Sequence, residues 1–245
     1  MNDRSETHSP GEAALSYRFA IYWAPPRGAP LAEIGEAWLG RSAQSDAALE
    51  RPRLPGFSAG ELEAATAEPR RYGLHATLKP PFRLAEGGSA TALESAFDDF
   101  ARRQPGVTAP PLRLKRIGRF LALVPGARTP ALDALAAASV AALDAFRAPP
   151  DAAELARRHA AGLSPAQAQN LARWGYPYVM EEFRFHVTVT GAIDPTLADR
   201  LTPALETLFA PVLTLPLAIT ELALFTEPAP GAPFRLLRRA ALAGG

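Results

Sequence analysis

Cysteine is absent from this chain of 245 residues. Its absence removes disulfides, thiolate metal sites and a cysteine nucleophile together. Lysine is nearly absent: Lys79 and Lys115 are the only two among 26 basic residues. Histidine occurs four times, as His8, His75, His159 and His186. No apolar run is long enough to span a bilayer, so no membrane partner is expected. The opening stretch MNDRSETHSPGEAA is polar and carries acidic residues, unlike a signal peptide. It predicts a disordered tail over residues 1–14, with His8 incidental to function, and makes the cytoplasm the default location. A strong excess of one charge is missing too: 26 basic residues face 25 acidic ones, a net charge of +1. Dedicated nucleic-acid binders usually carry a larger basic excess or a basic stripe.

What remains is an ordinary globular composition, 48% hydrophobic and 21% charged. The length suits one large domain or two small lobes with a shared interface. YRFAIYWAP, from Tyr17, reads as a strand, with Phe19, Ile21 and Trp23 on one face and Arg18, Ala20 and Tyr22 on the other. PLAEIGEAWLG (Pro30 to Gly40) has helical spacing and a glycine stop. A polar, proline-containing loop is expected from there to about Glu68. YGLHATLKP is the next strand, ended by Pro80 and Pro81. Ser89 to Gly106 is an amphipathic helix with Leu93, Phe97 and Phe100 on one side. PLRLKRIGRFLALVP reads as two strands joined at Gly118. Thr129 to Pro150 is a helix with Thr129 as its N-cap. Two short helices follow, divided near Gly162 and Ser164. EEFRFHVTVTG is a strand. PTLADRLTPALETLFAP is a helix in which Pro203 predicts a kink or a break. Two strands close the chain. The order strand, helix, strand pair repeats loosely, which predicts two α+β lobes within residues 15–245.

The two strands HATL and HVTV put histidine and threonine in the same frame. Side chains alternate across a strand. Gly73, His75, Thr77 and Lys79 then share one face, with Leu74, Ala76 and Leu78 on the other. Arg184, His186, Thr188 and Thr190 share a face, with Phe183, Phe185, Val187 and Val189 behind. Facing each other across a cleft, these fronts supply two imidazoles and two hydroxyls, with Lys79 and Arg184 as cations at the rim. The set suits a phosphodiester: one neutral imidazole takes a proton from water, and one imidazolium gives a proton to the leaving oxygen. The threonine hydroxyls donate to the non-bridging oxygens. No metal and no cofactor are required.

Other chemistries find less support. Neither strand offers a third histidine or a well-spaced carboxylate for zinc. There is no G-x-S-x-G elbow, no P-loop and no G-x-G-x-x-G. His159 lies among arginines in a helix and reads as a surface residue.

Two H-x-T-aliphatic motifs, one per half, resemble the signature of the two-histidine (2H) phosphoesterase superfamily. Its relatives include RNA 2′-5′ ligase-like proteins and cyclic nucleotide phosphodiesterases. YRFAIYWAPP, RYGLHATLKPPFRLA, RFLALVP, LARWGYPYVMEEFRFHVTVTG and PGAPFRLL look like the branch named for phosphonate metabolism. The resemblance implies a bilobal α+β fold, pseudo-twofold, with a central cleft and with His75, Thr77, His186 and Thr188 as the catalytic set. It implies a small phosphorylated sugar as substrate, a ribose 5-phosphate carrying a 1,2-cyclic phosphate. An RNA 2′,3′-cyclic phosphate end, or a phosphosugar-binding protein without turnover, are the alternatives. Contacts to a 5-phosphate are expected first from Lys79 and Arg184, then from Arg18 and Tyr22. WGYPYV, with Tyr176 and Tyr178, is expected to form part of a lid.

Overall fold

A computed structural model describes residues 18–160 and 162–244. The expected tail over residues 1–14, His8 and Tyr17 lie outside the described residues. The elements run in the order β1 (Arg18–Trp23), α1 (Pro30–Leu39), β2 (Arg41–Ser42), β3 (Ala47–Ala48), α2 (Ala59–Tyr72) and β4 (Ala76–Arg83). Next come α3 (Ala90–Ala101), β5 (Val107–Ala109), β6 (Leu112–Ile117), β7 (Phe120–Pro125) and α4 (Pro130–Ala142). The chain continues through α5 (Ala152–His159), α6 (Pro165–Trp174), β8 (Val187–Thr188) and α7 (Pro195–Phe209). It closes with β9 (Leu217–Ile219), β10 (Glu221–Glu227) and β11 (Arg235–Ala241). No helix among the described residues is long and apolar enough to cross a membrane.

The fold is α+β and bilobal. Seven strands form one sheet in the order β11-β10-β1-β4-β8-β7-β6, every neighbour antiparallel. One half is β11-β10-β1-β4 and the other β8-β7-β6. They meet at one paired position, Ala76 opposite Val187. Each half holds one histidine-threonine strand, but the halves are not successive stretches of chain. β10 and β11, from the C-terminal end, complete the sheet begun by β1 and β4. One broad apolar core fills the helix-covered side, including Phe19, Ile21, Trp23, Ala76, Val187 and Leu123. The opposite face carries a small cluster of Ala20, Tyr22, Ala223, Phe225 and Phe234.

Four expectations are corrected. First, the loop expected up to Glu68 contains α2. Ser58 and Glu61 form a reciprocal capping box at its start, a signal the sequence does carry. Pro69 lies inside that helix and removes the N–H that would serve the Ala65 carbonyl. Gly191 N–H, just past β8, donates to that carbonyl at 2.8 Å instead. The proline thereby opens an acceptor that ties α2 to the second histidine strand. Second, Pro80 and Pro81 do not end β4, which runs to Arg83. β8 pairs with β4 only at Ala76, so most of that edge has no ladder to lose, and a register shift against β1 accommodates the prolines. Third, the strand expected over EEFRFHVTVTG shrinks to Val187–Thr188, preceded by a 3₁₀ turn at Met180–Glu182. Its alternation of buried and open side chains persists from Phe183 to Val189. Fourth, α7 continues through Pro203.

Lys79 is the largest departure. β1 and β4 pair as Tyr22 opposite Thr77, then Ile21 opposite Lys79, with a bulge at Leu78. The extra residue reverses the alternation, so Lys79 joins Ile21 on the helix-covered side. It is 1% exposed. Its ammonium donates to the Val140 carbonyl in α4 at 3.0 Å and to Asp144 Oδ1 at 3.2 Å. Burial pushes the ammonium down to about 8, against the opposing pull of Asp144. Lys79 is therefore a packing and capping residue for α4, not a cation at the rim of the histidine face. Lys79→Ala is expected to destabilise the fold by about 2–4 kcal/mol, through the lost stem and the unpaired acceptors it leaves. Urea denaturation checks this. Lys79→Met, which retains the stem, should lose less.

Candidate active site

The site is built on the junction of the two half-sheets. Ala76 and Val187 are fully buried and point to the helices. Their neighbours in each strand must point the other way. The antiparallel register then sets His75 across from Thr188 and Thr77 across from His186. The two motifs lie side by side and crossed on one face of one sheet, where the sequence led us to expect two fronts meeting across a cleft. His75, Thr77, His186 and Thr188 are all half-buried, open on that face. Neither threonine hydroxyl has a protein partner among the described residues.

Each imidazole is fixed in the same way. His75 Nδ1–H donates to the Gly73 carbonyl at 2.9 Å. His186 Nδ1–H donates to the Arg184 carbonyl at 2.8 Å. A carbonyl only accepts, so the proton must sit on Nδ1 in both rings. Both Nε2 atoms are left for chemistry. The second carbonyl comes from Arg184, whose guanidinium turns back to the Glu181 and Phe183 carbonyls. The expected rim cation is thus folded onto its own backbone, while its main chain orients His186.

The surroundings of the two rings differ. Tyr22 stacks on His75 with ring centroids 3.9 Å apart. On the other side of the junction Ala122 pairs with Thr188, the place equivalent to Tyr22 beside Thr77. Among the described residues, the one aromatic ring beside His186 is Phe120, tilted, at 5.8 Å. Burial pushes His75 down to about 4, opposed by the Gly73 carbonyl and aided by His186 close by. His75 is therefore neutral at pH 7. Burial also holds the Tyr22 hydroxyl well above its ordinary value, with Tyr72 adding to it and Arg18 opposing. Tyr22 stays a neutral phenol.

Among the other expected contacts, Arg18 lies on the same face as Tyr22 and pairs with the fully buried Glu227. Tyr176 is held by a guanidinium, Arg158, 4.6 Å over its ring. Burial raises its hydroxyl, opposed by Arg158 and aided by Tyr178. The Asn170 amide secures this turn by donating to the Pro177 and Val179 carbonyls. Tyr178 is 47% exposed and touches Tyr176 edge-on. His159 is an exposed surface residue.

Sequence reading missed Tyr72, Arg71, Glu227 and Phe234. Tyr72 lies 6.1 Å from His75 and stacks on Phe234 at 5.1 Å. Arg71 also pairs with Glu227. Glu227 ends β10 and Phe234 lies just before β11, and no local signal in the chain connects them to His75. Among the described residues, no group of three His, Asp or Glu side chains is arranged to hold a metal ion.

Gly73 sets the first ring. Its φ of +79° belongs to the region that favours glycine, and a Cβ there would meet Ala43 Cβ at 2.4 Å. Gly73→Ala should cost about 1–3 kcal/mol of stability and shift the carbonyl that orients His75. Thermal unfolding together with the imidazole NMR shifts of His75 checks this. An unmoved His75 resonance would contradict the positioning role.

A family model described as "Protein of unknown function (DUF1045)" matches residues 77–235. Two curated relatives bear the name ribose 1,5-bisphosphate phosphokinase PhnN. The protein from Janthinobacterium sp. (strain Marseille) is 39% identical over 221 residues, 89% of this chain and 49% of its own length. The one from Laribacter hongkongensis (strain HLHK9) is 41% identical over 225 residues, 90% of this chain and 51% of its own length. The chain thus spans about half the length of these relatives. Among solved structures, E. coli LigT complexed with NADP+ aligns with a TM-score of 0.45 at 19% identity, covering 93% of this chain and 98% of that one. A structure titled as a phosphoesterase aligns with a TM-score of 0.41 at 17% identity, covering 92% and 98%.

Proposed function

The chain belongs to the DUF1045 family, and on that premise we propose that it is a two-histidine cyclic phosphodiesterase acting on a phosphorylated ribose. One observation carries this reading. The register of Ala76 against Val187 brings both H-x-T motifs onto one sheet face, each imidazole presenting a free Nε2. Two such nitrogens and two unpartnered hydroxyls are the parts that in-line opening of a cyclic phosphodiester needs.

The covered, neutral state of His75 supports the role of base for it and of acid for His186. His75 is neutral and its Nε2 takes a proton from water. The water oxygen attacks phosphorus, and the bond from phosphorus to one ring oxygen breaks. His186 Nε2–H gives its proton to that leaving oxygen. Thr77 and Thr188 donate to the non-bridging oxygens as charge gathers there. After the step His75 is protonated and His186 neutral, and exchange with solvent restores both.

The substrate is a ribose 5-phosphate closed as a 1,2-cyclic phosphate. Breaking the bond from phosphorus to the 2-oxygen leaves ribose 1,5-bisphosphate. That product is the sugar phosphate in the relatives' name. No G-x-x-x-x-G-K-[ST] loop occurs in this chain.

Phosphorus NMR of the protein with 5-phosphoribosyl 1,2-cyclic phosphate tests the reading, beside an RNA 2′,3′-cyclic phosphate end and in excess EDTA. Opening of the sugar ring in chelator is expected. Cleavage of the RNA end alone would assign the site to RNA. Tight binding with no product from either would make it a binding protein. His75→Ala and His186→Ala should each lower kcat by roughly a hundred- to ten-thousandfold with the fold retained.

The pH profile is a second check. A base that must be neutral loses activity as pH falls through its pKa. With His75 pushed below 6.5 to about 4, the acid limb of kcat/KM should lie well below the ordinary imidazole range. Tyr22→Ala uncovers the ring, so it should move that limb upward toward 6.5.

A further inference from the structure

Glu227 is fully buried on β10, a position where a lone carboxylate is costly. Two guanidinium groups answer it. Arg18 donates through Nε to one carboxylate oxygen, and Arg71 donates through Nη2 to the other. The Gly231 N–H adds a third bond at 3.0 Å. Burial alone would raise the Glu227 carboxyl, but these donors hold it below the usual carboxylate range. One carboxylate needs one cation for neutrality. This one has two, so the trio keeps a net positive charge.

The surplus charge is open and aimed. The Arg18 and Arg71 side chains are 36% and 34% exposed. Among the described residues Arg18 gives only its Nε, to Glu227, while Arg71 gives its Nη2 to Glu227 and, more weakly, its Nε to the Ala232 carbonyl. Both Nη groups of Arg18 and Nη1 of Arg71 have no partner among the described residues. Arg18 lies 5.6 Å over the Phe234 ring, and Arg71 lies 5.4 Å over the Tyr72 ring. Tyr72 is 6.1 Å from His75. Phe234 is 6.2 Å from Tyr22, which stacks on His75. Each guanidinium thus stands a short aromatic step from the reacting imidazole, on the same sheet face.

We infer that Arg18 and Arg71, locked in place by Glu227, form the subsite for a second phosphoryl group on the substrate, the one not being hydrolysed. The inference rests on the reading of the site as a sugar cyclic phosphodiesterase. It replaces Lys79, which is buried on the wrong side, and Arg184, which is tied to its own backbone. Arginine suits the task because its planar fork grips a phosphate with two N–H groups at once. Holding both forks on a buried carboxylate orders them before substrate arrives, which lowers the entropy lost on binding. Glu227 is then a positioning residue: it touches no substrate but fixes two groups that do.

The test compares two substrates and one simple ligand. Ribose 1,2-cyclic phosphate is assayed with and without a 5-phosphate, using wild type, Arg18→Met and Arg71→Met. Each variant should lose roughly ten- to hundredfold in kcat/KM on the 5-phosphorylated substrate. That loss should exceed the loss on the other substrate by at least tenfold. Equal losses on both substrates would overturn the subsite, since they would report a general distortion of the site. Arg18→Lys and Arg71→Lys keep the charge and guard against a folding artefact; they should recover part of the discrimination. Calorimetric binding of ribose 5-phosphate decides the subsite independently of turnover. If wild type opens neither sugar ring but binds ribose 5-phosphate, and Arg71→Met does not, the subsite stands and the cyclic phosphodiesterase reading fails. If wild type opens the ring and both methionine variants bind ribose 5-phosphate as wild type does, the subsite is wrong and the enzyme reading survives. For Glu227→Gln, KM for the 5-phosphorylated substrate should rise more than kcat falls. A matched fall in kcat on both substrates would assign Glu227 to the fold alone.

Discussion

The pairing of Ala76 with Val187 is the contact on which the rest of the molecule depends. It joins two half-sheets that otherwise meet only through helices and packed side chains. It also fixes which residues rise on the open face. A slip of one position would turn His186 and Thr188 into the apolar core and bring Val187 out. Such a short strand cannot hold its register by ladder bonds alone. The following residues supply the missing restraint. The Trp38 indole donates to the Val189 carbonyl at 2.7 Å, Leu121 N–H donates to Thr190 Oγ1 at 2.9 Å, and Gly191 N–H reaches the carbonyl that Pro69 leaves open. Valines at 187 and 189, both fully buried, fill the space behind. Polar tethers and apolar packing together keep a two-residue strand in register.

Around this junction the two halves share one ring-to-carbonyl bond and differ in the side chains around it. Both histidines bond the carbonyl two residues earlier, although Gly73 presents it from a φ of +79° and Arg184 from backbone outside the left-handed region. The difference is made by neighbours in the flanking strands. Tyr22 covers His75, whereas Ala122 leaves His186 open. An aromatic lid over one imidazole lowers its proton affinity by excluding water from the charged form. The two imidazoles therefore differ in their surroundings. Here one side chain breaks the symmetry. The same aromatic group extends through Tyr72 and Phe234 to two arginines, which add cationic charge at its edge.

The local frame of the site was legible in the chain because it depends on short-range rules. Alternation along a strand put His75 with Thr77 and His186 with Thr188. Capping residues such as Ser164, and Gly118 in the β6–β7 turn, marked the elements. The errors arose where a local rule met a longer-range one. Lys79 follows the alternation on paper, but a bulge at Leu78 turns it over to meet α4. Pro69 and Pro80 look like breakers, yet each sits where its missing N–H is harmless or useful. Arg71, Glu227 and Phe234 are silent in the sequence because their meaning is a meeting of α2 with strands more than 150 residues away.

By itself, the sequence determined the residue types able to move protons, their frame on each strand, and the absence of thiol chemistry, since these are properties of single residues and their nearest neighbours. Only the tertiary structure decided that the two frames lie crossed on adjacent strands, that Tyr22 covers one ring and not the other, and that Lys79 is buried while Arg71 is open. These outcomes depend on sheet register and on which surfaces exclude water. Both are set by contacts between distant segments, which local spacing does not encode.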